Sequence, residues 1–215
     1  MVSGKREGGQ RLAAYNELRE MILDLRLPPG AVVNEQSLAN ELGYGRMPIH
    51  EAIARLAGER FITVLPRRGT VVTAFALQDV LDMFDARQAV EGGIAYLAAS
   101  RATDVDLATL RKLVKSAGKA RKGVHPDEFL AEDMEIHSYL ARITKNSFLQ
   151  DTADLLLLHN LRFWRSHWST RPPQQHSMMS HEDLLHALEA REPEQAQEAM
   201  RAHIASSRQL LQSLF

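Results

Sequence analysis

The chain has 215 residues, 45% hydrophobic and 25% charged, which is the composition of an ordinary globular protein with room for two domains. No apolar run approaches the ~18 residues of a membrane span, and the absence of cysteine excludes disulfides and thiolate metal ligands, which fits a reducing cytoplasm. A net charge of −1 carries no nucleic-acid signal, yet residues 1–76 hold ten Lys/Arg against eight Asp/Glu while the remainder leans acidic.

Residues 1–10 are polar and glycine-rich and predict a disordered start. A first helix is expected over Arg11–Leu25, with Leu12, Tyr15, Leu18, Ile22 and Leu25 on its inner face. Leu38, Ala39 and Leu42 form a short apolar stripe at helical spacing, broken by Gly43-Tyr44-Gly45. Pro48 then sits near a new first turn, where its missing N–H is harmless. Ile49, Ala52, Ile53 and Leu56 make a second stripe, and Gly58 helps end it. Two short helices across a glycine-containing turn predict a helix-turn-helix, whose second helix reads the DNA major groove. Phe61–Leu65 and Thr70–Thr73 are strand-like and flank Pro66-Arg67-Arg68-Gly69, a hairpin wing with a basic tip suited to phosphate. Arg46 and His50 are four residues apart on the second helix, so both can face the groove.

After a short linker at Phe75-Ala76-Leu77 the pattern turns helical. Helices are expected over Leu77–Ser100, Asp104–Lys122, Pro126–Ile143, Ser147–Trp168, Gln174–Ala190 and Pro193–Leu214, with Thr103 as an N-cap and Pro126 and Pro193 in first turns. The fold class is therefore mainly α: a winged helix-turn-helix over 11–75 followed by an all-α six- or seven-helix bundle over 77–215.

Asp133 and His137 are spaced i, i+4, His181 belongs to the fifth bundle helix and His203 to the sixth. Three imidazoles and a carboxylate suit Zn²⁺, Ni²⁺ or Mn²⁺. With nine histidines in the chain, spacing alone is a weak signal and favours surface or satisfied core histidines over a metal. Arg87 and Glu91 are another i, i+4 pair, compatible with a surface ion pair. The run Phe163, Trp164, His167 and Trp168 fits core or dimer packing, or stacking on a ligand. Gly92-Gly93 inside a helix signals either a close helix approach or a kink.

The order Pro29-Gly30, Glu35, Leu38-Ala39, Leu42-Gly43, Arg46, Pro48-Ile49, Glu51-Ala52 and Arg68-Gly69 resembles the winged helix-turn-helix of GntR-family bacterial transcription regulators. Gly45 stands where that family usually has Ser. Gln36 and His50 stand where its members often carry DNA-contacting arginines. The resemblance implies a reading surface of Gln36, Arg46, Met47, His50, Arg67, Arg68 and Gly69 on a double-stranded palindromic operator, bound by a homodimer.

The second half resembles the FadR branch, with its FCD ligand-binding domain, in the shorter, six-helix VanR-like form. There an Asp-x-x-x-His and two later histidines hold a metal, here Asp133, His137, His181 and His203. The resemblance also implies that Arg87, with Arg162 as a further candidate, holds a small carboxylate effector, and that the regulator is a repressor. His125, His159, His167, His176 and His186 fall outside its pattern. Two other readings compete: a purely structural metal, and a metal-dependent hydrolase or lyase using Glu182 or Glu135 as acid or base.

Overall fold

The computed structural model describes residues 3–67, 69–123, 125–170 and 179–213. They divide into two units, Met1–Phe75 and Ala76–Phe215. Arg68 and His176, and the expected helix start at Gln174, lie outside the described residues.

Helix α1 spans Ser3–Leu23, so the expected disordered start is helical from residue 3. Lys5, Arg6, Glu7 and Gln10 are good helix formers and extend the helix that Tyr15, Leu18 and Ile22 anchor. Two residues expected on its inner face are not there. Leu12 is 54% exposed because the buried stripe begins at Ala14 and Tyr15. Leu25 lies past the helix end in left-handed backbone, with φ 65.

A two-residue strand β1 (Val32–Val33) follows, too short to leave a sequence signal. Helix α2 (Glu35–Leu42) is capped by Asn34, whose side chain accepts from the Ser37 N–H, and it stops at Gly43 with φ 71. Helix α3 (Arg46–Gly58) buries Ile49, Ala52, Ile53 and Leu56 against α1 and α2. Gly58 is still helical; the left-handed residue after the helix is Arg60, with φ 65. Strands β2 (Ile62–Leu65) and β3 (Gly69–Val72) pair antiparallel from Ile62 with Val72 to Leu65 with Gly69. The sheet order is β1-β3-β2, with Val32 opposite Val71. A helix-turn-helix with a three-stranded wing results.

The second unit is built from α4 (Leu77–Arg101), α5 (Asp104–Gly123), α6 (Pro126–Ile143), α7 (Ser147–Thr170), α8 (Glu182–Glu189) and α9 (Pro193–Gln209), closed by a 3₁₀ turn at Leu210–Ser213. The caps are encoded locally. Thr103 and Asp106 exchange hydrogen bonds as a capping box at the start of α5. The Asn146 side chain accepts from the Phe148 and Leu149 N–H groups at the start of α7. Helix α4 is central and packs on α6, α7, α8 and α9. It runs unbroken through Gly92-Gly93, so there is no seventh helix from a break there. A Cβ at Gly92 would stand 3.0 Å from Arg201 Nε and 3.1 Å from its Cγ, so this glycine serves a close approach of α9. Among the described residues no helix is long and apolar enough to cross a membrane.

The fifth bundle helix is shorter than expected. Residues 179–181 are not helical, and His181 is the residue before α8, with φ −109 and ψ 12. Its carbonyl accepts the first helical hydrogen bond, from Leu185 N. His181 is thus placed by a loop, not by a helix face.

Candidate metal centre and DNA-reading face

Helix α6 turns Ile136, Leu140 and Ile143 into the core, and the same stripe carries Asp133 and His137 inward one turn apart. The N-terminal end of α8 supplies His181, and α9 supplies His203 beside buried Met200 and Ile204. All four are at most 8% exposed. One ligand atom from each lies within 4.8 Å of the others. His137 Nε2 is 3.1 Å from His181 Nε2, and His181 Nε2 is 3.2 Å from Asp133 Oδ1. His137 Nε2 and His203 Nε2 each stand 3.8 Å from that oxygen. Zn–N bonds of 2.0–2.1 Å in a tetrahedron put ligand atoms about 3.3 Å apart, within the range seen here.

The ring partners decide what these nitrogens can do. His203 Nδ1 donates to the Ser180 carbonyl at 3.1 Å. His137 Nδ1 donates to Glu91 Oε2. A carbonyl and an ionised carboxylate only accept, so both rings carry a proton on Nδ1, and in the neutral ring the Nε2 lone pair faces the centre. Burial opposes ionisation of Asp133, but the charge of His137, the hydrogen bond from His181 and the neighbouring His203 hold its carboxyl well below the usual range. Burial pushes the pKa of His181 down, and that of His203 further still, with His181 and His137 adding to the effect. A divalent cation requires the carboxylate ionised and the imidazoles neutral, so its binding would displace any proton held on their inward-facing nitrogens.

Beside this cluster is a cavity of about 20 Å³, bordered by Arg87, Asp133, His203, Asn160, Trp164 and Trp168. Arg87 is only 2% exposed, which overturns the surface ion-pair reading. Its Nε donates to Glu91 Oε1 at 2.6 Å, and Glu91 is also 2% exposed. Burial alone would raise the Glu91 pKa, but Arg87 and His137 lower it to about 2. Phe163, Trp164 and Trp168 are buried, and the two tryptophans wall the cavity, so the aromatic run both packs the core and borders the site. Arg162 is 2% exposed, with burial lowering its pKa to about 10, but it does not border the cavity. Asn160, Trp164 and Trp168 repeat every four residues on that face of α7, and two residues on from Asn160 points elsewhere. His186 is exposed, away from the cluster.

The Ser180 carbonyl and Asn160 were not singled out by sequence reasoning, and Glu91 was paired with Arg87 but not placed beside the histidine cluster. A signal for Glu91 existed. Val80, Phe84, Ile94, Ala95 and Ala98 form the buried stripe of α4, and Arg87 and Glu91 fall on that stripe at helical spacing.

In the N-terminal unit, Arg46, Met47 and His50 are exposed on α3, Met47 by 59%. His50 Nδ1 stands 3.1 Å from Glu35 Oε1 of α2. The exposed Gln36 of α2 donates to Asn40 Oδ1, one turn on along the same helix, at 3.0 Å. Gly45 gives α3 no side-chain cap, so its first-turn N–H groups stay open to an external acceptor. At the hairpin, Arg67 has φ 63 and Gly69 φ 85, a left-handed turn that exposes both.

Residues 10–72 match the model of the bacterial regulatory proteins of the gntR family, and residues 82–206 match the FCD domain. The chain belongs to the GntR family. Its relatives include the Nta operon transcriptional regulator of Aminobacter aminovorans, 29% identical over 77% of this chain and 76% of that protein. The HTH-type transcriptional repressor RspR of Escherichia coli is 26% identical over 88% of this chain and 83% of its own. LutR of Bacillus subtilis, an HTH-type transcriptional regulator, is 27% identical over 91% and 98%. The E. coli McbR/YncC structure shares the fold with a TM-score of 0.81 at 19% identity, covering 95% of this chain and 98% of that one. This GntR protein is accordingly a transcription regulator and not an enzyme, so the hydrolase or lyase reading falls.

Proposed function

We propose that this GntR protein is a cytoplasmic repressor that binds a palindromic operator as a homodimer and responds to a small carboxylate effector at a divalent metal, Zn²⁺ before Ni²⁺ or Mn²⁺. The observation that carries the effector half is the convergence of Asp133, His137, His181 and His203 beside Arg87. Glu91 pairs with and neutralises Arg87, and Asp133 adds a negative charge, so these three groups by themselves offer an anion no net attraction. A divalent ion would supply positive charge and open coordination positions. Arg87 would then grip the same carboxylate from the other side, with Asn160 and Ser207 bordering its far end. A purely structural metal is the second reading, and the small cavity favours it: about 20 Å³ holds little more than one water.

On the DNA side, Arg46, Met47 and His50 supply the base-facing surface of α3, Gln36 of α2 adds to it, and Arg67 and Gly69 present the wing, with Arg68 between them in sequence as a further phosphate contact. A dimer reads two half-sites at a fixed spacing, so an effector that changes that spacing loses contacts on one side. Selection from random DNA is expected to return an inverted repeat, with affinity falling steeply as salt rises. Arg46→Ala should weaken operator binding by ~1–3 kcal/mol, as for an arginine bidentate to guanine. His50→Arg should change the selected sequence, because the new side chain must choose between Glu35 and a base. A pool without an enriched motif would end the operator proposal. Titrating carboxylic acids into the Zn²⁺-loaded protein, read as DNA release, separates the two metal readings: a structural ion gives no release with any acid.

A further inference from the structure

We propose that Glu91 is a positioning residue for the metal centre: it fixes His137 in the tautomer that aims a bare Nε2 at the other ligands. The proposal rests on the metal reading above but stands on its own geometry. Three things converge on this one carboxylate. Its Oε2 accepts from His137 Nδ1, its Oε1 accepts from Arg87 Nε at 2.6 Å, and it is 2% exposed. On the opposite edge of the same ring, Nε2 is 3.1 Å from His181 Nε2 and 3.8 Å from Asp133 Oδ1. The ring is therefore clamped from behind by an anion that can only accept, and that anion is itself clamped by a guanidinium that can only donate. His203, by contrast, is oriented by a neutral carbonyl, that of Ser180. Of these two rings, His137 is the one held by a charged partner, and its orientation depends on α4 rather than on a neighbouring loop. Arg87, which borders the cavity, thereby touches the metal centre through a single intervening side chain.

The substitution E91Q discriminates because glutamine offers one acceptor and one donor. Arg87 can only donate, so it takes the carboxamide oxygen and leaves the NH₂ facing His137 Nδ1. The ring must then accept at Nδ1 and carry its proton on Nε2, pointed at the metal position. The experiment uses full-length protein labelled with ¹⁵N-histidine and stripped of metal. Two-bond ¹⁵N–¹H correlations distinguish the two tautomers, and the His137 signals are assigned by their loss in H137A. Zn²⁺ affinity is measured in parallel by competition with a chromophoric chelator.

Wild-type protein should show His137 protonated on Nδ1. E91Q should invert the pattern and lose ~10–100-fold in Zn²⁺ affinity, and E91D, which keeps the carboxylate, should retain the wild-type pattern. A wild-type ring bare at Nδ1, or an E91Q protein with unchanged tautomer and affinity, would overturn the assignment. If E91Q does not fold, the wild-type and E91D spectra still decide. If the wild type binds no Zn²⁺, the metal reading fails, while the tautomer measurement continues to judge Glu91 by itself.

Discussion

Chelator-stripped protein should melt about 8–16 °C below the same protein in Zn²⁺ at a thousand times its Kd, because a ligand at that excess adds ~4 kcal/mol and a chain of this size gains about 2–4 °C per kcal/mol. The effect is large because the ligands come from separate parts of the bundle. Asp133 and His137 lie on α6, His203 lies on α9, and His181 sits in the loop before α8. An ion there would cross-link segments that otherwise meet through packing and a few hydrogen bonds. His181→Ala and His203→Ala should each abolish the Zn²⁺-dependent shift, and His186→Ala, at an exposed position, should leave it intact. Elemental analysis of untagged protein purified without chelator gives the resident metal directly. Identical melting with and without Zn²⁺, Ni²⁺ or Mn²⁺ would reduce the cluster to ordinary core polarity.

Arg87→Ala should destabilise the C-terminal unit by ~3–5 kcal/mol, the usual penalty for removing one partner of a buried ion pair. Both partners are 2% exposed, so the abandoned Glu91 carboxylate cannot be rescued by water. The comparison is Arg111→Ala, which breaks the exposed pair with Glu189 and should change stability by less than ~1 kcal/mol. Urea unfolding followed by circular dichroism measures both. Equal, small losses would mean that the Arg87–Glu91 pair is hydrated in solution. The same result bears on effector studies, because an Arg87 variant with poor response must first be shown to be folded.

The parts of the molecule legible in the sequence are those where local chemistry decides the outcome. Pro126 and Pro193 mark helix starts, Gly43 marks a helix end, and the apolar stripes of α3 and α6 give their buried faces. Asp133 and His137 could be paired because one helix sets their spacing, whereas grouping them with His181 and His203 required the resemblance. Three things escaped for physical reasons. Strand β1 is two residues long and exists only because Val71 and Thr70 of β3 offer it partners. His181 was placed on a helix because Leu184, Leu185 and Leu188 carry a helical stripe that begins just after it, and periodicity does not locate the first residue. Arg162 is as buried as Arg87, but burial says nothing about direction, and only the turn of α7 shows that it faces away from the cavity.

The chain contains two tryptophans, Trp164 and Trp168, and both wall the cavity, while the DNA-reading unit has none. The protein therefore carries its own optical label, confined to the regulatory half. Excited at the indole band, it reports on occupancy of the cavity without any dye, and DNA added to the reading head contributes no indole signal of its own. The label also distinguishes ions: paramagnetic Ni²⁺ or Mn²⁺ beside His203 should quench the emission, whereas Zn²⁺, with a filled d shell, should leave it bright. A single cuvette can thus follow which ion enters, and then whether an acid follows it.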